Sequence, residues 1–191
     1  MKLYFGFLLL LVSERLVELS ISRRNAAWAL GQGGIEVGQR HFRAMQLLHT
    51  AFFLACAAEV AFLRRPFRLA LGFPMLALAL ASQVLRYWAI AALGRRWNVR
   101  VIVIPGVPAV DRGPYRYVRH PNYVAVILEG FAVPLIHSAW ITAVCFTVLN
   151  AALLAVRIRC EEEALRAHAD YARRLGGRPR FLPLRTRPGE R

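Results

Sequence analysis

Apolar residues gather along this chain into five segments, at Leu3–Ile21, Ala44–Leu63, Leu69–Leu93, Tyr123–Ile136 and Ala139–Val156. An α-helix needs about 20 mostly apolar residues to cross the hydrocarbon core of a bilayer. The pattern therefore predicts about five transmembrane helices. Only His137 and Ser138 separate the last two, which makes them an antiparallel hairpin. Polar punctuation fills in the rest. "GQGG" at Gly31–Gly34 reads as a turn. "VRVIVIPG" at Val99–Gly106 clusters β-branched residues before a Pro-Gly stop, the mark of a short extended piece. From Glu161 to Leu175 a separate helical spacing brings Ala164, Leu165, His168, Tyr171, Ala172 and Leu175 near one face. No internal repeat or low-complexity linker divides the chain. Residues 1–175 read as a single all-α, polytopic membrane domain, and 176–191 as a basic, loosely ordered tail.

Charge sharpens this picture. The chain has 191 residues, 57% of them hydrophobic, and a formal net charge of +15. A charge this large also suits a nucleic-acid binder, where cations neutralise phosphates. Here, however, Lys2 is the sole lysine and the arginines lie between or after apolar segments. Cytoplasmic loops of membrane proteins are enriched in this way, so nucleic acid is not an expected partner. Arg23, Arg24, Arg40 and Arg43 follow the first segment, and six arginines from Arg95 to Arg119 follow the third. The opposite connections hold only Arg64, Arg65 and Arg68. The asymmetry places the N-terminus outside and the C-terminus in the cytoplasm, in a bacterial inner or plasma membrane. Glu14, Arg15 and Glu18 interrupt the first segment, which favours a retained helix over a cleaved signal peptide.

Charges at membrane depth need a reason. Glu14, Arg15, Glu18, Glu59, Arg86 and Glu129 all fall within the apolar segments. They either pair with one another or line a substrate cavity, and the sequence does not choose. Cys56, Cys145 and Cys160 form no metal-ligand spacing, so no metal site is expected.

Candidate chemistry gathers in two stretches. "GPYRYVRHPNY" precedes the fourth segment. Proline suits the first turn of a helix, where its missing donor would be unsatisfied anyway. Helix four therefore starts near Pro121, with Arg119 and His120 at an end whose free N–H groups favour anions. Tyr115, Tyr117 and Tyr123 offer flat faces for an aromatic ring or a cation. Basic and aromatic residues also belong at any membrane interface, so this stretch alone decides nothing. The second stretch, "VRIRCEEEAL" at Val156–Leu165, puts Arg157 and Glu161 four apart on one helical face, and three carboxylates at what reads as a helix start. The hairpin brings His120 and Glu161 to the same side of the membrane.

Together these features resemble the isoprenylcysteine carboxyl methyltransferase family: Gly-Pro-aromatic, Arg-His-Pro-x-aromatic, a membrane hairpin, then Arg-x-x-x-Glu-Glu. The resemblance implies that S-adenosylmethionine binds between the His-Pro loop and the Glu-Glu helix. It assigns Tyr115, Arg119, His120, Pro121, Tyr123 and Glu162 to the cofactor, and Arg157 and Glu161 to the reacting groups. Trp97 and Asn98 of "GRRWNVR" would line the acceptor side. Upstream stretches, including "SERLVELSISRRNAAW" and "HTAFFLACAAEV", are similar to a bacterial branch associated with type III polyketide synthases, whose members methylate the 4-hydroxyl of alkylpyrones. That likeness implies a lipophilic acceptor, drawn from the membrane lipid phase, and a functional link to such a synthase.

Other readings stay open at this stage. A phospholipid N-methyltransferase would need a base such as His120 to take a proton from its amine. A sterol-type membrane reductase would use NADPH without a glycine-rich fingerprint, and a purely structural or lipid-interaction protein would bind no nucleotide.

Overall fold

A computed structural model describes residues 1–182. Five long helices, α1 (Lys2–Gly31), α2 (Gln39–Phe62), α3 (Leu69–Leu93), α4 (Pro121–Leu135) and α5 (Trp140–His168), form the bundle, and a short α6 (Tyr171–Leu175) follows. Three of them, within His41–Phe62, Leu69–Arg96 and Trp140–His168, are long and apolar enough to cross a membrane, and α4 is shorter but apolar. α4 and α5 pack as the expected hairpin, flanked by α3 and α2.

Three elements depart from the sequence reading. α1 continues ten residues past Ile21, because nothing between Ser22 and Leu30 breaks a helix. It stops at the glycine turn, where Gly33 takes a left-handed φ of 79° and a Cβ on Gly34 would lie 2.5 Å from the Ala29 carbonyl oxygen. The extended piece is present as β2 (Val101–Val103), but it has a partner the sequence did not announce, β1 (Ile35–Val37). The two pair antiparallel, Ile35 opposite Val103 and Val37 opposite Val101, and tie the α1–α2 connection to the α3–α4 connection. α5 is one unbroken helix. The carboxylates at Glu161–Glu163 were expected at a helix start, yet they lie well inside it. No glycine or proline interrupts Trp140–His168, so the helix persists until Ala169 and Asp170 turn the chain into α6.

The core sits at the hairpin end. Tyr4, Leu8 and Leu11 of α1, Phe52, Cys56 and Val60 of α2, and Val133 and Phe146 of the hairpin are buried together. Gly130 of α4 makes room for the Phe146 ring of α5, since an added Cβ would stand 2.2 Å from Phe146 Cε1. The Phe146 ring is packed against Phe52, centroids 4.3 Å apart, and edge-on to His49. Gly130→Ala is expected to overpack this contact and cost about 1–3 kcal/mol, read as a lower unfolding temperature in detergent. An unchanged temperature would show that the ring swings aside.

Among the described residues the six charges of the apolar segments are partnered by protein groups, and none lines the cavity described below. Glu59 accepts from the Ile141 and Thr142 amides at 3.2 and 2.7 Å and from Arg65 at 2.9 Å, capping the start of α5. Arg15 bridges to Glu18 at 2.9 Å and to Gln83 at 3.3 Å, and Arg86 is bonded to Glu129. Such pairs hold helices in register, since stranding one member leaves an uncompensated buried charge.

Candidate functional site

The loop between β2 and α4 passes through a 3₁₀ turn at Gly113–Arg116 and ends at His120, the residue before Pro121. As the sequence implied, Pro121 opens α4. The hairpin returns the chain so that His120 Nε2, which must carry the proton against a carboxylate, donates to Glu162 at 3.0 Å. The His-Pro loop and the acidic run of α5 therefore meet at one end of the bundle. A cavity opens between them and the β2 strand. Tyr115, Arg119, His120, Tyr123, Arg157 and Glu161 line it, as do Trp97 and Asn98.

One wall is a relay of polar groups. Arg157, 6% exposed, donates from Nε to the Tyr123 hydroxyl at 2.8 Å and from Nη2 to the Val99 carbonyl at 2.6 Å. The Tyr123 hydroxyl donates in turn to Glu161 Oε2. Arg157 Nη1 meets only the Met45 thioether, at 3.9 Å, a weak acceptor. The guanidinium thus keeps donor capacity for an anionic oxygen. Glu161 Oε1 has no hydrogen-bond partner among the described residues.

Phenols contribute as neutral groups. Burial, with the Glu161 charge adding to it, pushes the Tyr115 hydroxyl well above its ordinary value. Burial likewise raises Tyr171, which also lines the cavity, to about 12. Both stay protonated at neutral pH. The His120 ring stacks on Tyr123, centroids 5.3 Å apart and 24° between planes.

Two residues assigned to the cofactor by resemblance stand behind the wall. Pro121 is fully buried, does not line the cavity and opens α4. Glu162 is 1% exposed and accepts from Arg180 through both oxygens at 3.0 and 2.8 Å, from Arg166 at 2.9 Å, and from His120. Successive helical residues point about 100° apart, so Glu161 and Glu162 face different surroundings. Asn98 lines the cavity but commits its amide to Ser22 and to the Arg100 N–H, fixing β2 against α1.

The sequence reading passed over Asn122, although it lies inside the quoted motif. Its Oδ1 and the Trp97 Nε1 are buried cavity-lining atoms without a hydrogen-bond partner among the described residues. Buried polar groups are nearly always satisfied. An orphaned acceptor and an orphaned donor beside aromatic faces and a half-free carboxylate fit a ligand with a heteroaromatic ring, hydrogen-bonding edges and a cation. S-adenosylmethionine has all three.

The tail reading also changes. Residues 176–182, expected to be loose, fold back on the loop: the amides of Arg119 and His120 donate to the carbonyls of Pro179 and Arg180 at 3.0 and 3.1 Å. Residues 183–191 of that tail lie outside the described residues.

Comparison with known proteins now decides the family. The family model for isoprenylcysteine carboxyl methyltransferases matches residues 75–167, which hold most of α3, the loop and the whole hairpin. The uncharacterized protein YpbQ of Bacillus subtilis is 38% identical over 168 residues, 87% of this chain and 99% of the relative. This chain belongs to the isoprenylcysteine carboxyl methyltransferase family. A second relative, an uncharacterized protein of Haemophilus influenzae, is 29% identical over 158 residues, 81% of this chain and 90% of its own. Family membership and the long apolar helices make the chain an integral membrane methyltransferase. In this family member the matched segment carries six of the eight cavity-lining residues named above in the loop and hairpin, and Trp97 and Asn98 fall inside it as well.

Proposed function

We propose that this methyltransferase uses S-adenosylmethionine to methylate an acidic oxygen of a lipophilic acceptor. The observation that carries the reading is Arg157: a buried guanidinium in the cavity wall with N–H groups to spare, one hydrogen-bond relay away from the half-free carboxylate of Glu161. When bound, S-adenosylmethionine supplies a sulfonium methyl, so that the methyl–oxygen bond forms as the methyl–sulfur bond breaks and a neutral thioether leaves. Glu161 would face the cationic end of that donor, and Tyr115, Trp97 and the stacked His120–Tyr123 pair would hold its flat part. Arg157 holds the acceptor oxygen as an anion and in line. Such displacement depends chiefly on alignment. A carboxylate or acidic enol enters already ionised, so no residue needs to act as a strong base. An amine acceptor fits less well, because it must lose a proton and would approach beside a fixed cation.

The same reading takes the arginine-rich end as cytoplasmic, with the N-terminus outside. The polar donor enters from that side and the acceptor from the bilayer. The likeness to the alkylpyrone branch makes an alkylpyrone 4-hydroxyl the first acceptor, linked to a type III polyketide synthase, and a prenylcysteine carboxylate the second. The test is to incubate membranes containing the protein with methyl-labelled donor and three acceptors: an alkylpyrone, a prenylcysteine and an ethanolamine phospholipid. Label in one of the acidic acceptors is expected. Label confined to the phospholipid, or binding of NADPH in place of the labelled donor, overturns the reading.

A further inference from the structure

The segment after α6 lies outside the stretch matched by the family model, yet it makes a dense set of bonds to the donor half of the site. Arg180 grips the buried Glu162 with both arms of its guanidinium, at 3.0 and 2.8 Å. Glu162 in turn receives the His120 Nε2 proton at 3.0 Å. Pro179 and Arg180 accept the backbone amides of Arg119 and His120. Arg178 donates to the Tyr115 carbonyl and accepts from Arg119 Nε through its own carbonyl. Phe181 packs on Tyr123, Leu154 and Ile158. None of residues 178–181 lines the cavity. Whatever they do there, they do through the loop.

We propose that residues 178–181 are a buttress for the donor half of the site, with Arg180 as its positioning residue. The proposal rests on the donor reading above and extends it. A loop of aromatic and polar residues on its own samples many arrangements, and ordering it upon binding weakens affinity. The buttress removes that cost in advance. It fixes His120 at both ends, through its amide to the Arg180 carbonyl and through its ring to the Glu162 carboxylate that Arg180 orients. A bidentate guanidinium sets the carboxylate plane, which a lysine ammonium does not. Charge balance is a lesser matter: without Arg180, Glu162 keeps Arg166 at 2.9 Å and Arg119 at 3.5 Å. Arg180→Ala therefore leaves the buried carboxylate paired and the bundle folded.

The experiment uses the full chain in detergent, with Arg180→Ala, Arg180→Lys and, as a control, Arg173→Ala, whose side chain pairs among the described residues only with Asp170, at the surface. Hydrogen exchange of the peptide spanning residues 113–124 is followed without ligand, and binding of labelled S-adenosylmethionine is measured in parallel. Arg180→Ala is expected to speed exchange in that peptide and to weaken donor affinity by about tenfold, the scale of one charge-assisted bond pair. The acceptor KM and the unfolding temperature should hold, Arg180→Lys should not restore affinity, and Arg173→Ala should match wild type. Unchanged donor affinity with unchanged exchange overturns the proposal. So does an equal loss for donor and acceptor, which would mark a general loosening of the fold. If wild-type protein binds no donor, the function reading fails separately, and exchange alone decides the buttress: an unaltered rate in Arg180→Ala overturns it.

Discussion

Replacing Arg157 with alanine is expected to lower kcat/KM for methyl transfer by about 10²–10³-fold, the range for deleting one preorganised donor to a reacting oxygen, with donor binding changed little. Of the arginines lining the cavity, Arg96, Arg100 and Arg119 are half-buried, whereas Arg157 is buried and still has donor capacity left over. Its loss removes both the anchor of an anionic acceptor and the group that sets the angle of attack. Folding should survive, because the Tyr123 hydroxyl loses one partner but keeps its bond to Glu161, and the Val99 carbonyl is the one main-chain acceptor left behind among the described residues. Arg157→Lys keeps the charge but not the fork, which reaches Tyr123 and Val99 together. It should recover only part of the rate. The measurement is steady-state transfer to the preferred acidic acceptor, with unfolding temperature as the control. Wild-type turnover by the alanine variant would remove Arg157 from the site and with it the case for an anionic acceptor.

Glu162→Ala is expected to act on the fold instead. Removing one member of a buried ion cluster typically costs about 3–5 kcal/mol. Arg166 and Arg180 are about half exposed, 50% and 48%, and can turn to water, so the lower end of that range applies. His120, 3% exposed at its side chain, has no such escape. A clear drop in unfolding temperature, with or without ligand, is the expected reading. Glu161→Gln should do the opposite, keeping stability while transfer falls. If the two adjacent glutamates instead behaved alike, the separation of their surroundings along α5 would be wrong.

Much of this architecture was legible because its causes are local. Apolar runs marked the helices, Pro121 marked the start of α4, and a two-residue connection forced the hairpin that brings His120 to the acidic run. What escaped has causes far away in the chain. β1 is only three residues, "IEV", and is a strand because β2 lies opposite. The continuity of α5 was hidden by its change from apolar to charged residues at Arg157, a change that marks a shift of surroundings and not a break in the backbone. Glu161 and Glu162 were both assigned to the pocket, one to the reacting groups and one to the cofactor, because adjacency in sequence was read without the turn between helical neighbours. Residues 178–181 looked loosely ordered because two glycines precede them and two arginines and a proline make up most of them, while the acid that holds Arg180 lies 18 residues earlier.

The unbroken α5 also acts as a gauge of depth. Arg157 stands 17 residues beyond Trp140, about 26 Å at 1.5 Å per residue, against a hydrocarbon thickness of roughly 30 Å. On the proposed reading, with α5 entering the hydrocarbon core at Trp140, the guanidinium would stand near the plane where acyl chains give way to headgroups. On that reading an acceptor whose oxygen caps a long tail would arrive at that height simply by being anchored, whatever the tail's length. One with its oxygen buried midway along the chain would have to lift greasy surface into water to be reached.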